Sequence, residues 1–125
     1  MPLASPHLIP RRAWREILSN TRIHRFSVGE MLYEQDAPAE SLWLLRRGTV
    51  ELYKSFFGEK HRLIYLSRGA VLGEVELFGR APRFANARAS TDVLAYELPA
   101  RLAREYLVRF PAAALSLLRA TTHRS

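Results

Sequence analysis

The segment from Gly73 to Ala85 holds the residues of this 125-residue chain whose types and spacing best suit chemistry. A short predicted strand ends at Gly73, and the next residues, Glu74 to Phe78, are long enough for one helical turn. Free backbone N–H groups at the start of a helical turn attract an anion. A loop then leads to Arg83, whose guanidinium can form charge-assisted, directional hydrogen bonds to a phosphate. Because the Glu74 carboxylate can accept hydrogen bonds from sugar hydroxyls, the segment suits a phosphorylated sugar.

A purely structural interpretation of the same charged residues remains open at this point. Arg83 can be a surface arginine that pairs with Glu74 or Glu76 in a loop that binds nothing. Glu74 can equally be a carboxylate that only holds the loop and Arg83 in place.

Short apolar segments separated by turn residues must position this loop. Glycines 48, 58, 69 and 79 recur roughly every ten residues, a spacing typical of an all-β sandwich or barrel. Alternation places Val50 and Leu52 on one face of a strand, and Ala85, Ala87 and Ala89 on one face of another. The small alanine face leaves space for a neighbouring element or for a ligand. The predicted strands are residues 31–33, 42–45, 49–56, 62–66, 70–72, 84–89 and 93–98.

Helical patterns flank the predicted strands. Residues 10–18 carry an apolar face, Pro99 begins a second helix, and Phe110-Pro111 separates it from a third that runs from about residue 112. The chain is therefore predicted to be one domain. Its parts are an N-terminal helical segment (1–25), a β-barrel or β-roll (26–98) that contains the loop 73–85, and C-terminal helices (99–125). Trp14 and Trp43 are expected in the core.

Composition excludes several classes of protein. Hydrophobic residues make up 48% of the chain, which is enough for a core, and the absence of cysteine excludes disulfides and thiolate metal sites. No apolar run approaches the ~20 residues of a membrane span, and the N-terminus does not resemble a signal peptide, so we expect a cytoplasmic protein without membrane contact. The four histidines (His7, His24, His61 and His123) are scattered, and no catalytic constellation is evident. We expect no metal, no cofactor and no enzymatic activity.

The net charge of +7 has two explanations. It can reflect a partner with negative charge, such as a nucleotide, a nucleic acid or an acidic protein surface. It can also reflect only a preference for arginine over lysine. Because the arginines are spread along the chain and form no dense block, nucleic-acid binding by this chain alone is not expected.

The segment resembles the phosphate-binding cassette of the cyclic-nucleotide-binding domain family. The family pattern is a Gly-Glu, an apolar turn and an arginine about ten residues after the glycine, followed by a small residue and an alanine. The residues that match it are Gly73, Glu74, Pro82, Arg83 and Ala85. Further stretches resemble the family in the same order along the chain, and the resemblance covers about residues 26–111. They are residues 26–30, 42–50, 66–69, 88–92 and 110–111.

The resemblance implies an eight-stranded, jelly-roll-like β-roll with an N-terminal helix and two C-terminal helices. It further implies that Arg83 pairs with a cyclic phosphate and that Glu74, next to Gly73, accepts the ribose 2′-hydroxyl. Backbone N–H groups near Glu76 and Phe84 would complete the phosphate cradle. The ligand would be cyclic AMP or cyclic GMP.

Two residues depart from the family pattern. The family usually has Ala or Gly at the position of Glu76, and a carboxylate there would repel a phosphate. It usually has a small residue at the position of Phe84, whose ring could crowd the pocket or swing outward. In the family a longer final helix often dimerises the domain, and a helix-turn-helix may follow it; this chain stops at Ser125, with no effector module visible.

Two main functions compete on these observations. The first is a non-catalytic cyclic-nucleotide sensor, with a homodimer through the terminal helices as a further expectation. The second is a ligand-blind family member that acts as a protein-interaction or dimerisation module. A remodelled pocket for another phosphorylated ligand, such as a cyclic dinucleotide, is a variant of the first.

Overall fold

The computed structural model describes residues 15–16 and 18–109 of the chain. Within these residues the chain forms eight strands and two defined helices, and residues 15–16 and 18–19 are also helical. Helix α1 (Glu74–Gly79) lies between strands six and seven, and helix α2 (Ala100–Arg109) follows strand eight. The strands are β1 (Arg22–Phe26), β2 (Met31–Tyr33), β3 (Ser41–Arg47), β4 (Val50–Phe56), β5 (Glu59–Leu66), β6 (Val71–Leu72), β7 (Asn86–Ala89) and β8 (Val93–Pro99).

The strands form two antiparallel sheets of four strands each. The order is β1-β8-β3-β6 in the first sheet and β2-β7-β4-β5 in the second. Apolar side chains from both sheets meet in one cluster, so the main core lies between the sheets, as two packed sheets require. This architecture confirms the predicted eight-stranded β-roll. The buried members of the core are Leu32, Trp43, Leu45, Val50, Leu52, Leu66, Ala70, Leu72, Ala87, Ala89, Val93 and Ala95.

Strand β3 is buried on both faces, which explains its continuous apolar run. Trp43 and Leu45 point into the core between the sheets. Leu42, on the opposite face, packs in a second cluster with Leu77 of α1 and Ala103 of α2. Full burial of a leucine contributes roughly 1.5–3 kcal/mol, so Leu77, which has no exposed surface, anchors the short helix α1 to the sheet.

The predicted face alternation holds in β4 and β7. Val50 and Leu52 are buried in the core between the sheets. Ala85, Ala87 and Ala89 are each no more than 1% exposed, and the last two belong to the same core. Ala87 and Ala89 therefore pack against side chains of the facing sheet.

Strand β1 corrects the predicted N-terminal helical segment, because β1 lies almost wholly within residues 1–25. Among the described strands it lies at the edge of its sheet and pairs with β8. Ile23 is 60% exposed, whereas His24 and Phe26 are partly buried and meet the Trp43 ring in edge-to-face contacts. The strand has no apolar run because most of its side chains face outward, so the sequence pattern does not predict it.

Several predicted features lie outside the described residues. These are Trp14, the Phe110-Pro111 break and the last helix from about residue 112. Trp43 is confirmed as a core residue, with 5% of its surface exposed. In the described part of the chain, no helix is both long and apolar enough to cross a membrane.

Candidate ligand-binding site

The candidate site begins where β6 ends and the chain turns into α1. Gly73 has a φ of +90°, a conformation that glycine adopts without strain. The Leu77 N–H donates to the Gly73 carbonyl at 3.1 Å and closes the first turn of the helix. A side chain at Gly73 would collide with Nη1 of Arg83. The glycine therefore permits both the turn and the close approach of the arginine.

The loop after α1 carries Arg83 back to the start of α1. Arg80, with a φ of +55°, ends the helix, and the Ala81 N–H donates to the Glu76 carbonyl at 2.8 Å. The Arg83 N–H donates to the Ala37 carbonyl at 2.9 Å, and the Arg83 carbonyl accepts from the Asp36 N–H at 2.7 Å. This two-way bridge to the β2–β3 loop fixes the backbone of Arg83, so its side chain starts from a defined position.

The Arg83 side chain is buried with most of its donors unused. Only 2% of the residue is exposed. Its Nη2 donates to the Ser41 carbonyl at 2.6 Å, and its guanidinium carbon lies 4.1 Å from the centroid of the Tyr33 ring. Among the described residues, no acceptor lies within hydrogen-bond reach of the buried Nε and Nη1 atoms. A buried donor without an acceptor is costly, so these two nitrogens mark a position for an anionic acceptor.

Two buried carboxylates stand beside this cation in the first turn of α1. Glu74 and Glu76 are each 2% exposed. The Glu76 Oε1 atom accepts a hydrogen bond of 3.4 Å from the Phe84 N–H. No ion pair within 4.0 Å joins Arg83 to Glu76 in the described part of the chain. Glu76 therefore uses a backbone donor of the predicted phosphate cradle without neutralising the arginine.

The pKa of Tyr33 depends on all three of these charges, because the phenol lies close to each of them. Burial raises the pKa of the Tyr33 phenol well above its ordinary value, and the charges of Glu76 and Glu74 raise it further. The positive charge of Arg83 acts in the opposite direction. The phenol thus stays protonated and sits among all three charges, two negative and one positive.

The structure brings together the residues that the sequence singled out, namely Gly73, Glu74, Glu76, Arg83 and Phe84. Their roles towards a ligand stay predictions. Phe84 is 44% exposed, so its bulk does not fill the interior while its N–H faces Glu76.

Sequence reasoning missed two members of the site. Ser41 contributes only its backbone carbonyl, which no side-chain pattern reveals. Tyr33 lies on the three-residue strand β2, too short for its alternation to show that its ring covers Arg83. Elsewhere in the described residues, no group of three or more His, Asp or Glu side chains could hold a metal ion.

The model of one protein family, described as the cyclic nucleotide-binding domain, matches residues 23–109. The chain belongs to the cyclic nucleotide-binding domain family. The cassette with its buried arginine lies inside the matched range, as do all eight strands except the first residue of β1.

Individual relatives support the same family. Over 79 residues the chain is 34% identical to the cAMP-activated global transcriptional regulator CRP of Salmonella typhimurium, covering 62% of this chain and 37% of that protein. The chain thus spans little more than a third of that relative's length. The relative carries the name of a regulator and not that of an enzyme.

Solved structures share the fold of this domain. One is the N-terminal domain of a transcriptional regulator from Streptomyces coelicolor, with a TM-score of 0.78 and 24% identity over 97% of this chain and 87% of that one. Another is the catabolite activator protein of Thermus thermophilus, with a TM-score of 0.81 and 24% identity over 90% of this chain and 54% of that one.

Proposed function

We propose that this chain is a non-catalytic sensor domain that binds a cyclic nucleotide, cyclic AMP or cyclic GMP, in the cradle around Arg83. The observation that carries this proposal is the buried guanidinium with two nitrogen atoms for which the described residues provide no acceptor. A cyclic phosphate would accept hydrogen bonds from these nitrogens in a planar fork, which is the geometry that arginine presents best.

The remaining cassette residues fit the other parts of the same ligand. The Glu74 carboxylate, held next to Gly73 at the start of α1, would accept the ribose 2′-hydroxyl. The backbone N–H groups of Glu76 and Phe84 would donate to the phosphate, which requires Phe84 to exchange its present acceptor. The name of the cAMP-activated relative supports cyclic AMP as the first ligand to test.

A second candidate function is favoured by the hydrogen bond from Phe84 to Glu76. If the Glu76 carboxylate cannot leave the cradle, the domain is ligand-blind and acts through protein contacts. The terminal helices are the expected surface for a homodimer in either case. For both functions we expect a cytoplasmic protein whose effector is a further domain or a partner protein.

The deciding experiment is a calorimetric titration of the purified domain with cyclic AMP, cyclic GMP and a cyclic dinucleotide. We expect micromolar binding of a cyclic mononucleotide by the wild-type protein. The variant Arg83→Lys keeps the charge but loses the planar fork, and we expect it to bind at least about tenfold more weakly. No heat with any ligand, on protein shown to be folded by circular dichroism, would reject the sensor and favour the interaction module.

A further inference from the structure

Glu76 introduces a negative charge where the proposed ligand places its own. The carboxylate lies in the first turn of α1, on the short stretch of chain that faces Arg83 and Phe84. Within the described part of the chain, the carboxylate accepts one hydrogen bond, from the Phe84 N–H, and its length of 3.4 Å is at the weak end of the range. The place of Glu76 in the cradle is therefore set by the backbone of α1 and not by strong hydrogen bonds of its carboxylate.

The Glu76 carboxylate makes no ion pair within 4.0 Å among the described residues. Its Oε2 atom is buried and has no hydrogen-bond partner among the described residues. Arg83 forms no ion pair with it there, and the neighbouring buried carboxylate, Glu74, adds a charge of the same sign. The charges of Glu76, Glu74 and Arg83 all act on the pKa of the Tyr33 phenol, which places the three groups near one another. A ligand phosphate near Arg83 would feel the field of Glu76 with little screening from bulk water.

The repulsion depends on how many charges the phosphate carries. A cyclic phosphodiester carries one negative charge, whereas a 5′-monophosphate with a second pKa of about 6 carries almost two at neutral pH. At an effective dielectric constant of about 20, charges a few ångströms apart interact by more than 1 kcal/mol per unit charge. The penalty imposed by Glu76 is thus about twice as large for the doubly charged ligand.

We infer that Glu76 is a specificity-determining residue that selects ligands by the charge of their phosphate, admitting a singly charged cyclic phosphodiester and rejecting a doubly charged open-chain monophosphate. This inference rests on the proposed binding of a cyclic nucleotide at Arg83. Glu76 weakens the binding of every anionic ligand, and it weakens that of the more highly charged ligand more.

The test compares the dissociation constants of cyclic AMP and 5′-AMP for the wild-type domain and for Glu76→Gln, measured by calorimetry at one pH and ionic strength. Glutamine keeps the size and removes the charge. We expect Glu76→Gln to bind cyclic AMP about tenfold more tightly and 5′-AMP about a hundredfold more tightly than the wild-type domain does. The discrimination between the two ligands falls by about tenfold as a result.

The control variant is Glu59→Gln, which makes the same chemical change at a carboxylate that is 78% exposed on the β4–β5 hairpin. It should leave both dissociation constants unchanged within about twofold. Glu76→Ala serves as a second cradle variant, because an alanine removes both the charge and the hydrogen bond, and it should shift the two constants in the same direction.

The outcomes separate this inference from the proposed function. If the wild-type domain binds cyclic AMP in an Arg83-dependent way but Glu76→Gln changes neither constant, the charge selection is wrong and the sensor stands. Equal gains for both ligands, or 5′-AMP that still fails to bind the variant at millimolar concentration, also reject selection by charge. If neither the wild-type domain nor either Glu76 variant binds any cyclic nucleotide, both the inference and the proposed function fail.

Discussion

The β4–β5 hairpin and the cassette both bury charge, but they compensate it in opposite ways. In the hairpin the Glu51 carboxylate is 3% exposed, with one oxygen 2.6 Å from Lys60 Nζ and the other 2.7 Å from Arg62 Nε. In the cassette Arg83 is 2% exposed, and Nε and Nη1 lack an acceptor within the described part of the chain. The hairpin supplies a cationic partner for each oxygen of its buried carboxylate. The cassette leaves two nitrogens of its buried arginine without an acceptor among the described residues.

The difference separates a structural charge cluster from a site for a ligand. Burial raises the pKa of the Glu51 carboxyl, but the hydrogen bonds from Lys60 and Arg62 outweigh this and hold that pKa below its ordinary value. The ionised Glu51 carboxylate thus stabilises the folded state, and its partners all come from the chain itself. The Nε and Nη1 atoms of Arg83, by contrast, would gain an acceptor when an anionic ligand enters. Variants in the cassette should therefore change the affinity for the ligand, whereas variants in the hairpin should change only the free energy of unfolding.

The largest effect should come from Arg83→Ala, which removes the cation of the cassette. We expect the dissociation constant of cyclic AMP to rise more than a hundredfold, because losing one partner of a buried charged hydrogen bond costs about 3 kcal/mol. The free energy of unfolding should also fall, by about 2–4 kcal/mol, because the Ser41 carbonyl loses its donor and the two buried carboxylates lose the nearby cation. Calorimetry and urea unfolding give the two numbers.

The matched control is Arg88→Ala on the exposed face of β7. It makes the same change in net charge and should leave the dissociation constant of cyclic AMP unchanged within about twofold. Equal weakening by the two alanine variants would mean that only the overall positive charge of the domain attracts the ligand.

The next effect should come from Glu74→Gln, which alters the proposed ribose acceptor. A hydrogen bond to a charged group contributes about 1.5–3 kcal/mol, so cyclic AMP should bind at least about tenfold more weakly. The analogue 2′-deoxy cyclic AMP lacks the hydroxyl and should bind the wild-type domain and Glu74→Gln with similar affinity. A variant that weakens both ligands equally would show that Glu74 only holds the loop.

A smaller effect on stability, with none on binding, should follow from Glu51→Gln in the hairpin. We expect the free energy of unfolding to fall by about 1–2 kcal/mol, because two cations lose their partner, although both lie partly in solvent and are screened. The affinity for cyclic AMP should stay within about twofold. Glu59→Gln on the same hairpin, with its carboxylate 78% exposed, should change stability by less than about 0.5 kcal/mol.

The smallest effect should be the pH dependence of the Glu51 contribution. A carboxyl whose pKa is lowered by folding stabilises the protein above its unfolded pKa, about 4.3, and this contribution is lost as the pH falls through the folded pKa. The difference in free energy of unfolding between the wild-type protein and Glu51→Gln should therefore shrink below about pH 4. A difference that stays constant from pH 7 to pH 3 would contradict the ion-pair assignment.

Sequence reasoning found the elements whose burial is visible in residue type. The double-sided burial of β3 gives an apolar run, and the alanines of β7 give strict alternation. The edge strand β1 was missed because its outward side chains, such as Ile23, do not follow a burial pattern.

The site was predictable where it depends on side-chain type and spacing. Gly73 and Arg83 could be paired by their separation along the chain, and the structure places them in contact. The carbonyl of Ser41 and the ring of Tyr33 meet Arg83 only through the fold, so no local pattern could assign them. The hydrogen bond between Glu76 and Phe84 likewise depends on how the loop after α1 returns.

The central claim is that the buried Arg83 guanidinium is the anion-binding group, and side-chain NMR tests it most directly. The Nε–H signal of Arg83, assigned by its absence in Arg83→Lys, would be followed while cyclic AMP is added to the wild-type domain. We predict a large downfield shift of this signal and slower exchange of its proton with water, because Nε gains an acceptor. Binding of cyclic AMP that leaves the Arg83 Nε–H signal unmoved would contradict the account.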